Sequence, residues 1–243
     1  MATSNRPALL ILGIIIALAA GLRLWAAVGD LWIDEIWSLD NIALARASTR
    51  PGDWLALFFH DNTHALNTAY LAIMETLIGP YGPSWAYRAL SIASGIAAVG
   101  VAAAIGWRRS PWEALIAGAL VGFSYPMIHY SSEARGYMPM LLAGLAAYAI
   151  LERHLETPTQ GRMAAFIVVC LLGLAAHLTF VVVLGGFGLW AAVVLFQRPE
   201  PTIRTIARLC ILFGAQITAV TFYGAIAVNN MVFGGGAMVP AID

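Results

Sequence analysis

Residues 29–67 read GDLWIDEIWSLDNIALARASTRPGDWLALFFHDNTHALN, the longest run of a strongly apolar chain that does not read as membrane-spanning. Six of the thirteen acidic residues fall here: Asp30, Asp34, Glu35, Asp40, Asp53 and Asp61. Trp32, Ile36, Leu39 and Ala43 recur at i, i+4, i+7 and i+11, which makes one apolar stripe of a helix. Asp34, Ser38 and Asn41 take the opposite face, and at about 100° per residue Glu35 points well away from Asp34. The pattern predicts a helix lying at a membrane surface, apolar face down, with one carboxylate presented above it. The plainer reading is a solvated loop between two spans, whose acids merely follow topology.

Composition sets the class. The 243 residues are 60% hydrophobic and 11% charged, against roughly 25% charged in soluble domains. An integral membrane protein made of a single module, residues 1–243, is expected, with no soluble domain attached. Formal net charge is zero, so nothing suggests nucleic acid as a partner. All basic residues are Arg. Cys170 and Cys210 sit inside apolar segments and read as small hydrophobes, and no Cys/His spacing fits a structural zinc site.

The first span is 8–28, preceded by Arg6. It could mimic a secretory signal, but with so much membrane-like sequence downstream an uncleaved helix is simpler. Residues 64–79 are apolar but short, and Glu75 interrupts them, whereas a full span needs about 20 residues. The next span, 84–107, ends in Arg108 and Arg109, which the positive-inside rule places in the cytoplasm. Parity then requires 64–79 to begin and end outside, as a second surface or re-entrant helix closed by Gly79-Pro80 and Gly82-Pro83. Further spans fall at 112–130, 136–151, 163–177, 179–196 and 205–228. The expected fold is thus all-α, with seven transmembrane helices, N-terminus inside and C-terminus outside. Arginines 6, 108, 109, 153, 162, 198 and 204 fall inside, while most acids fall outside. GGFG at 185–188 follows no strand and lies within a span, so close helix packing explains it better than a nucleotide loop. The glycine run at 234–236 reads as a flexible tail.

The outer face collects the unusual polar groups: Asp34, Glu35, Asp61, His64, Arg88, His129, Glu133, Arg135 and His177. Ionisable residues near membrane depth are costly and are expected to pair or to work. A carboxylate can accept a proton from an attacking hydroxyl, and arginines can hold a phosphate bidentately. Each residue also has a structural alternative. Asp34 could cap the surface helix, and Glu35 could complement its dipole. Glu133 and Arg135 could form a plain salt bridge at a span end. Arg88 could snorkel to the interface. His64, His129 and His177 could be interfacial residues rather than substrate or metal contacts. No nucleotide-binding pattern is present. An outward-facing transferase has no nucleotide supply, so its activated donor should be lipid-linked.

These residues come in a telling order: LWIDEIWSL after the first span, HDNTHALNTAYL, GPSWAYRALSIASGIAAV, YSSEARGYMPMLLAGLAAYAILER, and a span ending in AHLTF. Over roughly residues 8–225 this resembles the polytopic glycosyltransferases of the C superfamily. The nearest group is that related to family 39 protein mannosyltransferases and the bacterial lipid-sugar transferases. The resemblance implies seven spans with two juxtamembrane helices in the first outer loop. It also implies transfer of a sugar from a polyprenyl-phosphate donor to an acceptor hydroxyl of a lipid, glycan or protein, on the outer side of a bacterial inner (plasma) membrane. Asp34 falls on the family's catalytic acid, with Glu35 beside it. Glu133 falls on the second acidic turn, with Arg135 after it, Arg88 on the arginine of the second span, and His177 on the histidine of a later outer turn. Asp34, Glu35 and Glu133 are therefore the expected catalytic group. Arg88 and Arg135 are the expected phosphate ligands, and His64, His177 and Asp61 orient substrate. A divalent cation is left open, because members of the superfamily differ on it. The chain departs from the family at 64–68, HALNT, where His-Pro-Pro-Leu-Tyr is frequent, and members usually continue with further spans.

Two other classes compete. One is a non-catalytic module that binds or moves a polyprenyl lipid, or supports a partner subunit. The other is an ion or proton transporter, which acids deep within spans would mark. Only Glu75, in the short helix, comes near that description.

Overall fold

The computed structural model describes residues 5–58, 64–80 and 82–230, and every regular element among them is helical. In chain order these are α1 (Arg6–Ala26), α2 (Ile33–Ala47), α3 (Pro51–Ala56), α4 (Ala65–Ile78), α5 (Ser84–Trp107), α6 (Pro111–Phe123), α7 (Tyr125–Ser131), α8 (Tyr137–Glu156), α9 (Gln160–Ala176), α10 (Phe180–Phe196) and α11 (Thr202–Asn230). Among the described residues three helices are long and apolar enough to cross a membrane: α1, α5 and the Thr202–Ile226 part of α11. α4, α6, α9 and α10 are apolar but shorter. Leu10, Leu18, Leu120, Val182, Leu189 and Ile217 are exposed on these helices, as lipid-facing positions of a bundle are.

Most helix limits follow local chemistry. α5 begins straight after Pro83. α6 has Pro111 in its first turn, and the Ser110 hydroxyl accepts from the Glu113 N–H at 3.1 Å. α4 is 14 residues long, ends at Gly79 with φ +80°, and reaches only about 21 Å, short of the ~30 Å hydrocarbon core. The buried Tyr87 hydroxyl closes the α4–α5 turn, donating to the Gly79 carbonyl and accepting from the Gly82 N–H.

Three expectations change. The stretch expected as one span at 112–130 is two helices, because Ser124 is extended and Pro126 sits in the first turn of α7. The first acidic loop carries a third, short helix, α3, between α2 and α4. The glycines at 185, 186 and 188 do not mediate close packing, since an added Cβ would meet nothing within 4 Å at any of them. Close approach happens elsewhere: a Cβ on Gly106 would lie 2.6 Å from the Glu113 backbone, so α5 and α6 touch main chain to main chain. The 234–236 glycine run and Asp61 lie outside the described residues.

Two apolar cores result. One joins α8–α11 through Phe166, Phe180, Phe187, Leu195 and Phe213, with Phe166 edge-on to Phe213 at 5.5 Å. The other packs α2 on α4 and α5 through Ile42, Ala45, Leu71 and Tyr87. On α2 the buried face is Glu35, Ile42 and Ala45. Trp32, Ile33, Ile36, Trp37 and Leu44 are left exposed and apolar.

Between α1, α5 and α6–α7 lies Arg23, fully buried. Pro126 has no N–H, so the Gly122 carbonyl four residues upstream lacks its helical donor. The extended Ser124 ends α6 just there and leaves the Val121 carbonyl free as well. The Arg23 guanidinium takes both, at 2.9 and 3.0 Å, together with the Ala19 carbonyl and the Ser131 hydroxyl. Gly95 makes room: a Cβ there would overlap Ser131 Oγ and lie 2.7 Å from Arg23 Nε.

Gly95→Ala is therefore expected to destabilise the fold by roughly 1–3 kcal/mol through overpacking. Gly100→Ala, on the same helix with open space at its Cβ, should be neutral or stabilising by about 0.5–1 kcal/mol. Thermal unfolding of the two variants in detergent checks the contrast, which fails if both shift alike.

Candidate functional site

Glu35 lies in the first turn of α2 and is 1% exposed. Its Oε2 accepts from the Trp32 backbone N–H at 2.6 Å, which caps the helix from within. The same carboxylate meets Arg88 bidentately, with Nε at 3.0 Å from Oε1 and Nη2 at 2.6 Å from Oε2. The Ala134 N–H donates to Oε1 as a fourth bond. Arg88 spends its remaining N–H groups on the carbonyls of Ala27 (2.9 Å), Gly29 (3.3 Å) and Asp30 (2.8 Å). These carbonyls converge because Gly29 takes φ +126°, a conformation that glycine adopts without strain. Arg88 does not snorkel. All five of its N–H donors are engaged inside the protein, where they tie the end of α1 and the Gly29–Asp30 turn to Glu35 on α2, and Glu35 carries the link on to the 132–136 turn.

That turn is fixed from three sides. Glu35 takes the Ala134 N–H. Asn67 Nδ2 donates to the Ala134 carbonyl at 2.6 Å, and the Ser91 hydroxyl donates to the Arg135 carbonyl at 2.9 Å. Gly136 follows, packed so closely on the Ala176 carbonyl that a Cβ would overlap it. Glu133 and Arg135 are not a salt bridge with each other. Glu133, 5% exposed, accepts from Trp32 Nε1 at 2.9 Å and lies 3.2 Å from His129 Nε2. Arg135 reaches the other way and meets Asp34 Oδ2 at 2.8 Å. The Asp34 side chain is 32% exposed and that of Arg135 14%, so solvent reaches this pair while the Glu35–Arg88 pair is buried.

Beside Arg135 runs a strip of rings. The guanidinium lies 4.9 Å over Tyr137. Tyr137 is 4.7 Å from Tyr130, 4.8 Å from His177 and 5.3 Å from His64, between ring centres. His64 and His177 are 4.6 Å apart. His177 Nδ1 accepts from the Thr179 N–H at 3.1 Å, which leaves its proton on Nε2. Burial first, and the charge of Arg135 second, hold the His177 imidazole below its ordinary pKa.

The structure thus brings Asp34, Glu35, Arg88, Glu133, Arg135, His64 and His177 to one end of the bundle. Asp61 falls outside the described residues. Among the described residues no three His, Cys, Asp or Glu side chains converge as metal ligands. Sequence reasoning missed Trp32 as the ligand of Glu133, Tyr130 and Tyr137 as the ring strip, and Arg23 below them. A lone arginine inside an apolar span was the available signal for the last. No family model, no curated protein and no solved structure matches the chain.

Two outcomes are expected. Arg88→Met should destabilise the fold by roughly 3–5 kcal/mol, because Glu35 is left charged and buried. Arg88→Met with Glu35→Met should recover part of that loss in thermal unfolding. Separately, Arg135→Gln removes one of the two causes depressing His177, so the His177 pKa should rise toward, and not beyond, about 6.5. A depressed folded pKa stabilises above the unfolded value and loses that contribution as pH falls through 6.5 toward the folded one. The variant should therefore lose less stability on acidification than the parent. NMR titration of labelled His177 reads the shift directly, and an unmoved pKa would count against the coupling.

Proposed function

We propose that the chain is a membrane glycosyltransferase that moves a sugar from a polyprenyl-phosphate donor to an acceptor hydroxyl. The reading includes seven crossings: α1, α5, α6 continued by α7, α8, α9, α10 and α11, with the Asp34 end outside. At 17 residues each, α9 and α10 extend about 26 Å, close to the hydrocarbon thickness.

The observation that carries the reading is the half-open Asp34–Arg135 pair beside rings and a fixed turn. A phosphate oxygen and the Asp34 carboxylate are alternative partners for the same guanidinium. Donor binding would draw Arg135 onto the phosphate and release Asp34. Asp34 then takes the proton of the acceptor hydroxyl while that oxygen attacks the anomeric carbon. The bond from anomeric carbon to phosphate oxygen breaks, the electron pair leaves with the phosphate, and Arg135 stabilises it. Attack opposite the leaving group inverts the anomeric centre. Tyr137 and Tyr130 offer faces to a sugar ring, and His177 offers its Nε2–H as a hydrogen-bond donor. Glu35 and Arg88 act as positioning residues, and Glu133 orients Trp32 and His129.

One feature favours a second reading. The five N–H groups of Arg88, expected on the donor, are already occupied, so a single guanidinium faces the phosphate. A module that binds a polyprenyl lipid without turnover needs no more than that.

Membranes containing the chain, supplied with a panel of radiolabelled polyprenyl-phosphate sugars, should transfer label to lipid, glycan or protein. Asp34→Asn should reduce transfer by about 10²-fold or more while donor binding persists. Unchanged transfer would remove Asp34 as the base. Donor retention with no transfer by the parent chain would favour the binding module.

A further inference from the structure

The far ends of α8–α11 hold a cleft of about 240 Å³ that the sugar-transfer reading does not use. α8 separates it from the Asp34 site: Tyr137 starts the helix and His154 lies 17 residues on, about 26 Å along the axis. The cleft has two kinds of wall. Leu195, Ile211 and Leu212 are apolar, while His154, Arg198 and Arg208 are basic. Ile211 is 55% exposed, so the apolar side runs out onto the lipid-facing flank of α11.

The basic side is under-neutralised. Arg198 donates to the Leu155 carbonyl and has no carboxylate partner among the described residues. Arg208 pairs through Nη1 with Glu200 at 2.7 Å. The nearby acids on α8, Glu152 and Glu156, are taken by Arg108. His154 lines the same cleft, so two guanidiniums and an imidazole share one small volume. Holding positive charge together at the end of an apolar bundle is costly unless an anion sits among it.

We infer that this cleft is a binding site for an anionic phospholipid, its phosphate between Arg198 and Arg208 and an acyl chain descending along Ile211. Charge complementarity selects the headgroup, and the continuity of the cleft with the exposed face of α11 selects a lipid over a free anion. Basic pockets between helix ends at a membrane surface recognise acidic headgroups in this way. The inference needs only the bilayer and is independent of the chemistry at Asp34.

The test uses the full chain in detergent, mixed with phosphatidylglycerol or phosphatidylcholine and examined by native mass spectrometry. Phosphatidylglycerol should be retained in preference. Arg198→Gln should reduce the preference about fivefold, and Arg198→Gln with Arg208→Gln about 25-fold. Arg109→Gln, at an exposed arginine of the same end that pairs with Glu113, should leave it unchanged. Should the double variant fail to fold, Glu200→Gln reads the site in the opposite direction: by freeing Arg208 it should raise the preference about fivefold. Equal retention of the two lipids, a preference indifferent to Arg198 and Arg208, or no gain with Glu200→Gln would overturn the inference. Equal thermal protection by inorganic phosphate alone would assign the cleft to a free anion and overturn the lipid.

Discussion

The bidentate contact between Glu35 and Arg88 holds together the end of the molecule where the candidate site lies. A buried ion pair seldom adds net stability, because desolvating both charges offsets their attraction. This one is made tolerable by completeness: four hydrogen bonds reach the carboxylate, and five leave the guanidinium. Its effect is chiefly one of register. Glu35 takes the Ala134 N–H, and the neighbouring residues, Asp34 and Arg135, then meet at 2.8 Å. Two successive residues on α2 are matched to two successive residues of the 132–136 turn. A slip of one residue would bury Asp34 and expose Glu35.

Arg23 solves a similar problem without an acid. Two of its partners, the Val121 and Gly122 carbonyls, are ones that a helix break has released, as Arg88 uses the carbonyls around Gly29. A buried carbonyl without a donor costs a few kcal/mol, so a break in α6 at Ser124 needs a donor, and a buried guanidinium needs acceptors. Each removes the other's penalty. The interruption of α6 and the arginine on α1 are one feature rather than two. Gly95 admits them by withholding a side chain.

Much of the helical frame was legible in the sequence. The limits of α5 coincide with the span read from hydropathy and its flanking proline, and α4 with the short apolar run before Gly79. These are local signals. The partners were not legible. Glu133 and Arg135 stand two residues apart and look like a pair, yet a turn residue between them sends one to Trp32 and the other to Asp34. Periodicity placed Asp34 and Glu35 on different faces but could not say which face is buried, since burial depends on α5, more than fifty residues away. The split of α6 from α7 was written in Pro126. Its consequence for Arg23, about a hundred residues upstream, was not.

Exposure, more than identity, then separates the two carboxylates. Both are carboxylates in the first turn of α2, and both meet arginine. Exchanging a ligand oxygen for Glu35 would require rehydrating a carboxylate with four hydrogen bonds and abandoning the turn that it fixes. Exchanging one for Asp34 requires moving a single guanidinium over Tyr137, at a pair that solvent already reaches. Among the described residues, the Asp34–Arg135 pair is thus the more accessible of the two ion pairs joining α2 to its surroundings here, while the Glu35–Arg88 pair holds the turn that carries Arg135.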